Sequence, residues 1–167
     1  MLFADKHVRR FFLHVDAEAL VSHDDDTKVG AILVDYKTRD IIATGFNGFI
    51  RGANDASLPR TRPEKYPYMV HAETNLICNA ARLGKRTEGG ILFLPFTSCT
   101  HCSRMIYQAG IEVYYFKGFY RDFTASNSML DLNQEILRTP DPTNPDDYGI
   151  MRLAPRKTEM TSKDPTQ

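Results

Sequence analysis

Apolar and polar positions alternate along this chain with periods that change from segment to segment. Phe11, Phe12, Val15, Ala19 and Leu20 recur at roughly helical spacing, which predicts a helix from Lys6 to Val21. The acidic run Asp24-Asp25-Asp26 breaks that pattern. A strand follows from Val29 to Tyr36, then a polar turn through Lys37-Thr38-Arg39-Asp40 and a second strand from Ile41 to Phe46, which together read as a hairpin. Residues Asn47 to Val70 carry no period and hold Gly48, Gly52, Pro59, Pro63 and Pro67. A loop of that length inside a compact domain is uncommon and often functional.

Beyond the loop the pattern predicts a helix from His71 to Leu83, stopped by Gly84. A strand from Ile91 to Phe96, a helix from Cys99 to Gly110, a strand from Ile111 to Phe116 and a helix from Ser126 to Arg138 come next. After Thr139 the chain turns polar and holds five of its nine prolines, so residues 139–167 read as a loosely ordered or surface-draped tail on a domain of residues 1–138. The order of elements implies a three-layer α/β/α sandwich around a central mixed sheet of five strands.

Bulk properties narrow the function. The 167 residues suffice for one core. Twenty-one basic and 21 acidic side chains leave no net charge, which argues against a nucleic-acid partner and for a small-molecule substrate. No apolar run approaches a membrane span, and Met1-Leu2-Phe3-Ala4-Asp5 does not open a secretory leader, so a cytoplasmic protein is expected. The three cysteines, Cys78, Cys99 and Cys102, contain one C-x-x-C, which suits a reducing compartment and a metal better than a disulfide framework.

Two short stretches carry the chemistry: His71-Ala72-Glu73 and Cys99-Thr100-His101-Cys102. Cys99 and Cys102 share a face at a helix start, where the positive helix end favours thiolates. With His71 they make three nitrogen and sulfur ligands, the number a catalytic Zn2+ takes while keeping one position for water. Glu73 stands beside them as the carboxylate that moves the water's proton. A C-x-x-C alone is equally a redox or structural motif, and H-x-E alone is often a surface pair. Together they match H-x-E followed by P-C-x-x-C, the signature of zinc nucleobase deaminases. Cys78 reads as a small buried packing residue and His101 as facing away from the metal. A structural zinc would need a fourth ligand that the sequence does not supply.

The stretch from Lys65-Tyr66-Pro67-Tyr68 through His71-Ala72-Glu73-Thr74-Asn75 resembles the deoxycytidylate (dCMP) deaminases, cellular and phage. So do Val29-Gly30-Ala31, Gly45-Phe46-Asn47-Gly48 and Gln108-Ala109-Gly110-Ile111, and the likeness runs from about Leu20 to Asp122. The resemblance implies hydrolysis of dCMP to dUMP and ammonia, supplying dUMP for thymidylate synthesis, with Glu73 catalytic and His71, Cys99 and Cys102 holding zinc. It implies a substrate-binding set of Asn47 at the sugar, Lys28 and Arg82 at the phosphate, Tyr120 closing the pocket, and Ala72. The competing readings are a turn-former for Asn47, solvated charges for Lys28 and Arg82, and plain packing for Tyr120.

The family also implies a homohexamer, activated by dCTP with Mg2+ and inhibited by dTTP. If the gene is phage-borne, the setting is the host cytoplasm. The loop Phe49 to Pro59, with Arg51, Asn54 and Asp55, corresponds to the effector region, although an unregulated surface loop reads equally well. Competing functions are a dCTP-preferring or other cytidine-type deaminase and, in another class, an inactive zinc-stabilised nucleotide sensor. One departure stands out. Ser98 precedes Cys99 where the signature has proline, which loosens the approach to the first thiol, while Pro95 earlier partly replaces that rigidity.

Overall fold

The computed structural model describes residues 3–121 and 132–155. Its elements are helix α1 (Asp5–Ala19), strands β1 (Gly30–Asp35), β2 (Ile41–Phe46), β3 (Gly48–Phe49) and β4 (Met69–Val70), helix α2 (Ala72–Arg82), β5 (Gly90–Phe96), α3 (Thr100–Gln108), β6 (Val113–Gly118), β7 (Leu132–Arg138) and β8 (Gly149–Pro155). Six strands form the main sheet in the order β2-β1-β5-β6-β8-β7, and β3 pairs with β4 separately. Only the β5–β6 pair is parallel, because α3 carries the chain back between them; the other neighbours run antiparallel.

Both faces of the sheet are covered, which is why Ala31, Ile32, Leu33 and Val34 form an unbroken apolar run rather than an alternation. On one face Val8, Phe11, Phe12 and Val15 of α1 pack against Ile32, Val34, Phe93 and Tyr115. On the other, Leu76 and Ala80 of α2 and Ile106 of α3 pack against Leu33, Leu92, Leu94, Tyr114 and Phe116. The three-layer α/β sandwich is therefore present, with a sixth strand beyond the five anticipated.

Two glycines set the layer spacing. A Cβ at Gly45 would stand 2.5 Å from the Ala72 carbonyl oxygen and 2.5 Å from the Leu76 nitrogen, so only glycine lets the first turns of α2 lie against β2. A Cβ at Gly30 would stand 2.1 Å from the Val15 carbonyl oxygen, which fixes α1 in the same way. Asn75 and Asn79 then donate to the Phe46 and Thr44 carbonyls at 2.9 and 3.1 Å and pin α2 along β2.

The C-terminal third departs from the sequence reading. Leu132–Arg138 is an edge strand, not the end of a helix; residues 126–131 of that predicted helix lie outside the described residues. Leu, Gln, Glu and Arg are good helix formers, and Leu132 and Ile136 sit four apart, so local preference pointed to a helix. Pairing with β8 overrides it. The tail boundary at residue 138 is also corrected. β8 lies inside the sheet between β6 and β7, with Ile150, Met151 and Leu153 buried. The prolines before it, Pro140, Pro142 and Pro145, belong to the connection between two paired strands and not to a loose end.

Candidate active site

His71 and Cys99 occupy equivalent places. Each is the extended residue that caps a helix, His71 before α2 (φ −68°, ψ 154°) and Cys99 before α3 (φ −71°, ψ 166°). Cys102 lies on the first turn of α3 and is fully buried. His71 Nδ1 stands 3.6 Å from Cys99 Sγ and 3.4 Å from Cys102 Sγ. One ligand atom from each of the three lies within 4.8 Å of the others, and among the described residues this is the one such group of three or more His, Cys, Asp or Glu. Ligand atoms about 2.0–2.3 Å from a tetrahedral ion stand roughly 3.5 Å apart, so this donor set and its spacing fit zinc.

The electrostatics suit a cation. Cys99 sits well below the usual thiol value because Cys102 and His71 hydrogen-bond it, against the pull of burial. Cys102 is pushed the other way by its hydrogen bond to Cys99 and by burial. Glu73, in the first turn of α2, is 8% exposed, and burial raises its carboxyl above the ordinary value of 4.5. It feels His71 and Cys99 and hydrogen-bonds Cys102. His101 is exposed and points to Arg104.

A cavity of about 320 Å³ opens over these groups. His71, Glu73 and Cys99 line its floor, and Ala72 lies between them. The cavity lies beyond the C-terminal ends of the parallel pair β5 and β6, the usual crevice of an open α/β sheet. Phe119, Tyr120 and Arg121, which follow β6, line it too.

The far wall comes from the long loop and the acidic run. Asp24, Asp25 and Asp26 are ion-paired partners of the loop: Lys65 Nζ reaches Asp24 at 2.8 Å and Asp26 at 2.6 Å, and Arg60 reaches Asp25 at 2.8 Å. Arg62 donates to Thr27 Oγ1 at 2.6 Å and lines the cavity. Lys65 is only 2% exposed; burial works against its charge, but hydrogen bonds to Asp24 and Asp26 outweigh that and hold the ammonium above its usual value. Burial likewise opposes the Asp24 carboxylate, yet Lys65 and the Thr27 and Asp26 N–H groups keep it below its usual value.

Several sequence readings need correction here. Asn47 lines the cavity, but Oδ1 accepts from Ser22 Oγ and the Val29 N–H, both at 2.7 Å. Its Nδ2 donates to Thr27 O at 2.8 Å and Asp24 Oδ2 at 3.4 Å. The whole of the amide is thereby engaged in shaping the cavity wall. Lys28 is exposed and does not line the cavity. Arg82 ends α2, about 16 Å along the helix from His71, and donates to Asn79 Oδ1. Sharing a helix face did not bring it to the site. Tyr120 does line the cavity, with its N–H on Thr97 Oγ1. Cys78 is exposed rather than buried. The sequence reading passed over Arg62, Lys65 and the acidic run. Their one signal was three acidic residues facing a loop whose basic residues, Arg60, Arg62 and Lys65, had no other assignment.

The family model of the cytidine and deoxycytidylate deaminase zinc-binding region matches residues 5–117. The chain belongs to that deaminase family. Among relatives of this deaminase, a probable deoxycytidylate deaminase of Drosophila melanogaster is 35% identical over 150 residues, covering 76% of this chain and 72% of that one. Human deoxycytidylate deaminase is 34% identical over 108 residues, 60% of this chain and 59% of the human protein. The dCMP deaminase of cyanophage S-TIM5, solved in complex with dCMP and dUMP, superposes with a TM-score of 0.62 at 28% identity and covers 77% of this chain and 94% of that one. The matched segment contains both motifs of the deaminase, and no helix among its described residues is long and apolar enough to cross a membrane.

Proposed function

We propose that this deaminase hydrolyses dCMP to dUMP and ammonia. One observation carries the reading: two thiols and an imidazole stand at zinc-binding spacing, and His71 and Cys99 of that set line the floor of a cavity together with a buried carboxylate. His71, Cys99 and Cys102 would hold a zinc ion, which when bound would supply a water acidified enough to attack C4 of cytosine near neutral pH. Glu73 would relay two protons, the first from the attacking water to N3 of the ring and the second from the newly added hydroxyl to the amino group, which leaves as ammonia. Its burial suits this role, because a carboxyl raised above its ordinary value both accepts and returns a proton readily. Phe119 and Tyr120 border the space beyond the floor, where the pyrimidine and sugar go.

Monophosphate specificity falls to the guanidinium groups at the cavity, Arg62 and Arg121, in place of Lys28 and Arg82. Guanidinium suits phosphate because its donors are fixed in a fork and stay charged. The same proposal includes a homohexamer in the cytoplasm that responds to dCTP with Mg2+ and to dTTP; the sequence resemblance alone supports this part. A panel of dCMP, CMP, dCTP and deoxycytidine, each with and without the two effectors, tests the reading. Ammonia release fastest from dCMP is the expected result. A preference for dCTP would move the substrate assignment, and no turnover of any of the four by zinc-loaded protein would leave a nucleotide-binding module.

A further inference from the structure

Proline precedes the first cysteine in the zinc-deaminase signature, and here the residue is Ser98. The sequence suggested a loosened approach to Cys99. The structure shows otherwise. Ser98 and Ser103 are both completely buried, and their hydroxyl oxygens stand 2.6 Å apart. Ser103 neighbours Cys102 and lies one turn beyond Cys99, whose carbonyl accepts its N–H at 2.8 Å. Gln134 of β7, itself buried, donates to Ser103 Oγ at 3.4 Å. On the strand side Thr97 is held as well, its N–H on Gly118 O at 2.9 Å and its Oγ1 accepting from Tyr120 N–H at 2.8 Å. The hydroxyl pair therefore bridges the residue before one thiol to the residue after the other.

We infer that the Ser98–Ser103 hydroxyl pair, tethered to Gln134, is a positioning brace that holds Cys99 and Cys102 at metal-binding spacing where other members use proline. The inference rests on the proposed zinc ligation. A hydroxyl buried without a partner is costly, so two facing each other at the back of a ligand pair form a bond that persists while the ligands wait for metal. Such outer contacts commonly change metal affinity 10- to 100-fold.

Zinc release from the loaded protein to the chelator 4-(2-pyridylazo)resorcinol tests the brace, with melting of the metal-free protein measured alongside. Ser98→Ala and Ser103→Ala should each speed release about tenfold, and the double variant should release no faster than Ser103→Ala, which by itself already removes the Ser98 bond and the Gln134 tether. Ser57→Ala, at an exposed hydroxyl in the loop, should leave release unchanged. Additive effects, or wild-type release rates in both single variants even with lowered melting temperatures, would overturn the inference. If Ser98→Ala does not fold, Ser103→Ala decides alone, since it removes the bond from the helix side. Wild-type protein that takes up no stoichiometric zinc would defeat the ligand assignment itself. Loaded wild type with unaffected variants defeats only the brace.

Discussion

The two walls of the cavity are built by different means. The metal wall uses two short motifs, 28 residues apart, at the caps and first turns of two regular helices that meet over the parallel strands. The opposite wall uses a loop of little regular structure, held by ion pairs to an acidic run some 40 residues earlier in sequence. The three candidate ligands and the buried carboxylate sit on the rigid wall. The rest of the lining sits on the wall whose shape depends on long-range electrostatics. The difference teaches that short motifs at helix starts supply the metal-binding set, whereas distant charge pairing shapes the pocket.

Changes on each wall should therefore fail differently. Glu73→Gln should keep zinc and fold normally while losing about 10²- to 10⁴-fold in kcat, the scale of general acid–base catalysis. Metal content by atomic absorption and dCMP turnover check this, and turnover within a few-fold of wild type would remove Glu73 from the reaction.

Asp24→Asn acts on the other wall and should cost about 3 kcal/mol of unfolding free energy. That is the low end for orphaning a buried charge, because Asp26 remains beside Lys65. The Asp24 carboxylate titrates below its ordinary value of 3.8 in the folded protein, so its contribution is complete above that value and fades as pH falls through the lower folded value. Denaturant unfolding of wild type and variant should therefore converge in acid. A gap that persists below the folded value would dissociate the effect from the Asp24–Lys65 ion pair.

Arg62→Gln should lower kcat/KM for dCMP by about tenfold or more and for deoxycytidine little, the scale of one charged hydrogen bond. Equal losses on the two substrates would give Arg62 a purely structural role through Thr27. Arg82→Gln should be the mildest change, within about twofold on both substrates, because it removes an exposed contact to Asn79 far from the cavity. A selective loss on dCMP would restore the phosphate role that helical spacing suggested.

Much of the molecule was legible in advance. The helical period of α1, the hairpin β1–β2 and the strand–helix–strand unit through the cysteines all follow from local pattern, since each buries its apolar side in the way its period requires. The C-terminal strands were not legible. Leu132–Arg138 prefers a helix when considered alone and becomes a strand only because β8 offers an edge. The prolines that suggested a loose tail fall between two strands that pair with each other.

By itself the sequence pointed to the candidate zinc set, because each of its two motifs is short and sits at a helix start, while the fold brings those starts, 28 residues apart, together. Only the tertiary structure decided that Asn47 spends its amide on the wall, that Arg62 reaches the cavity while Arg82 does not, and that a serine pair stands behind the thiols. The Asn47 and Arg62 outcomes depend on contacts between segments 18 to 35 residues apart, and the serine pair on how the start of α3 folds back on the end of β5, which no hydrophobic period carries.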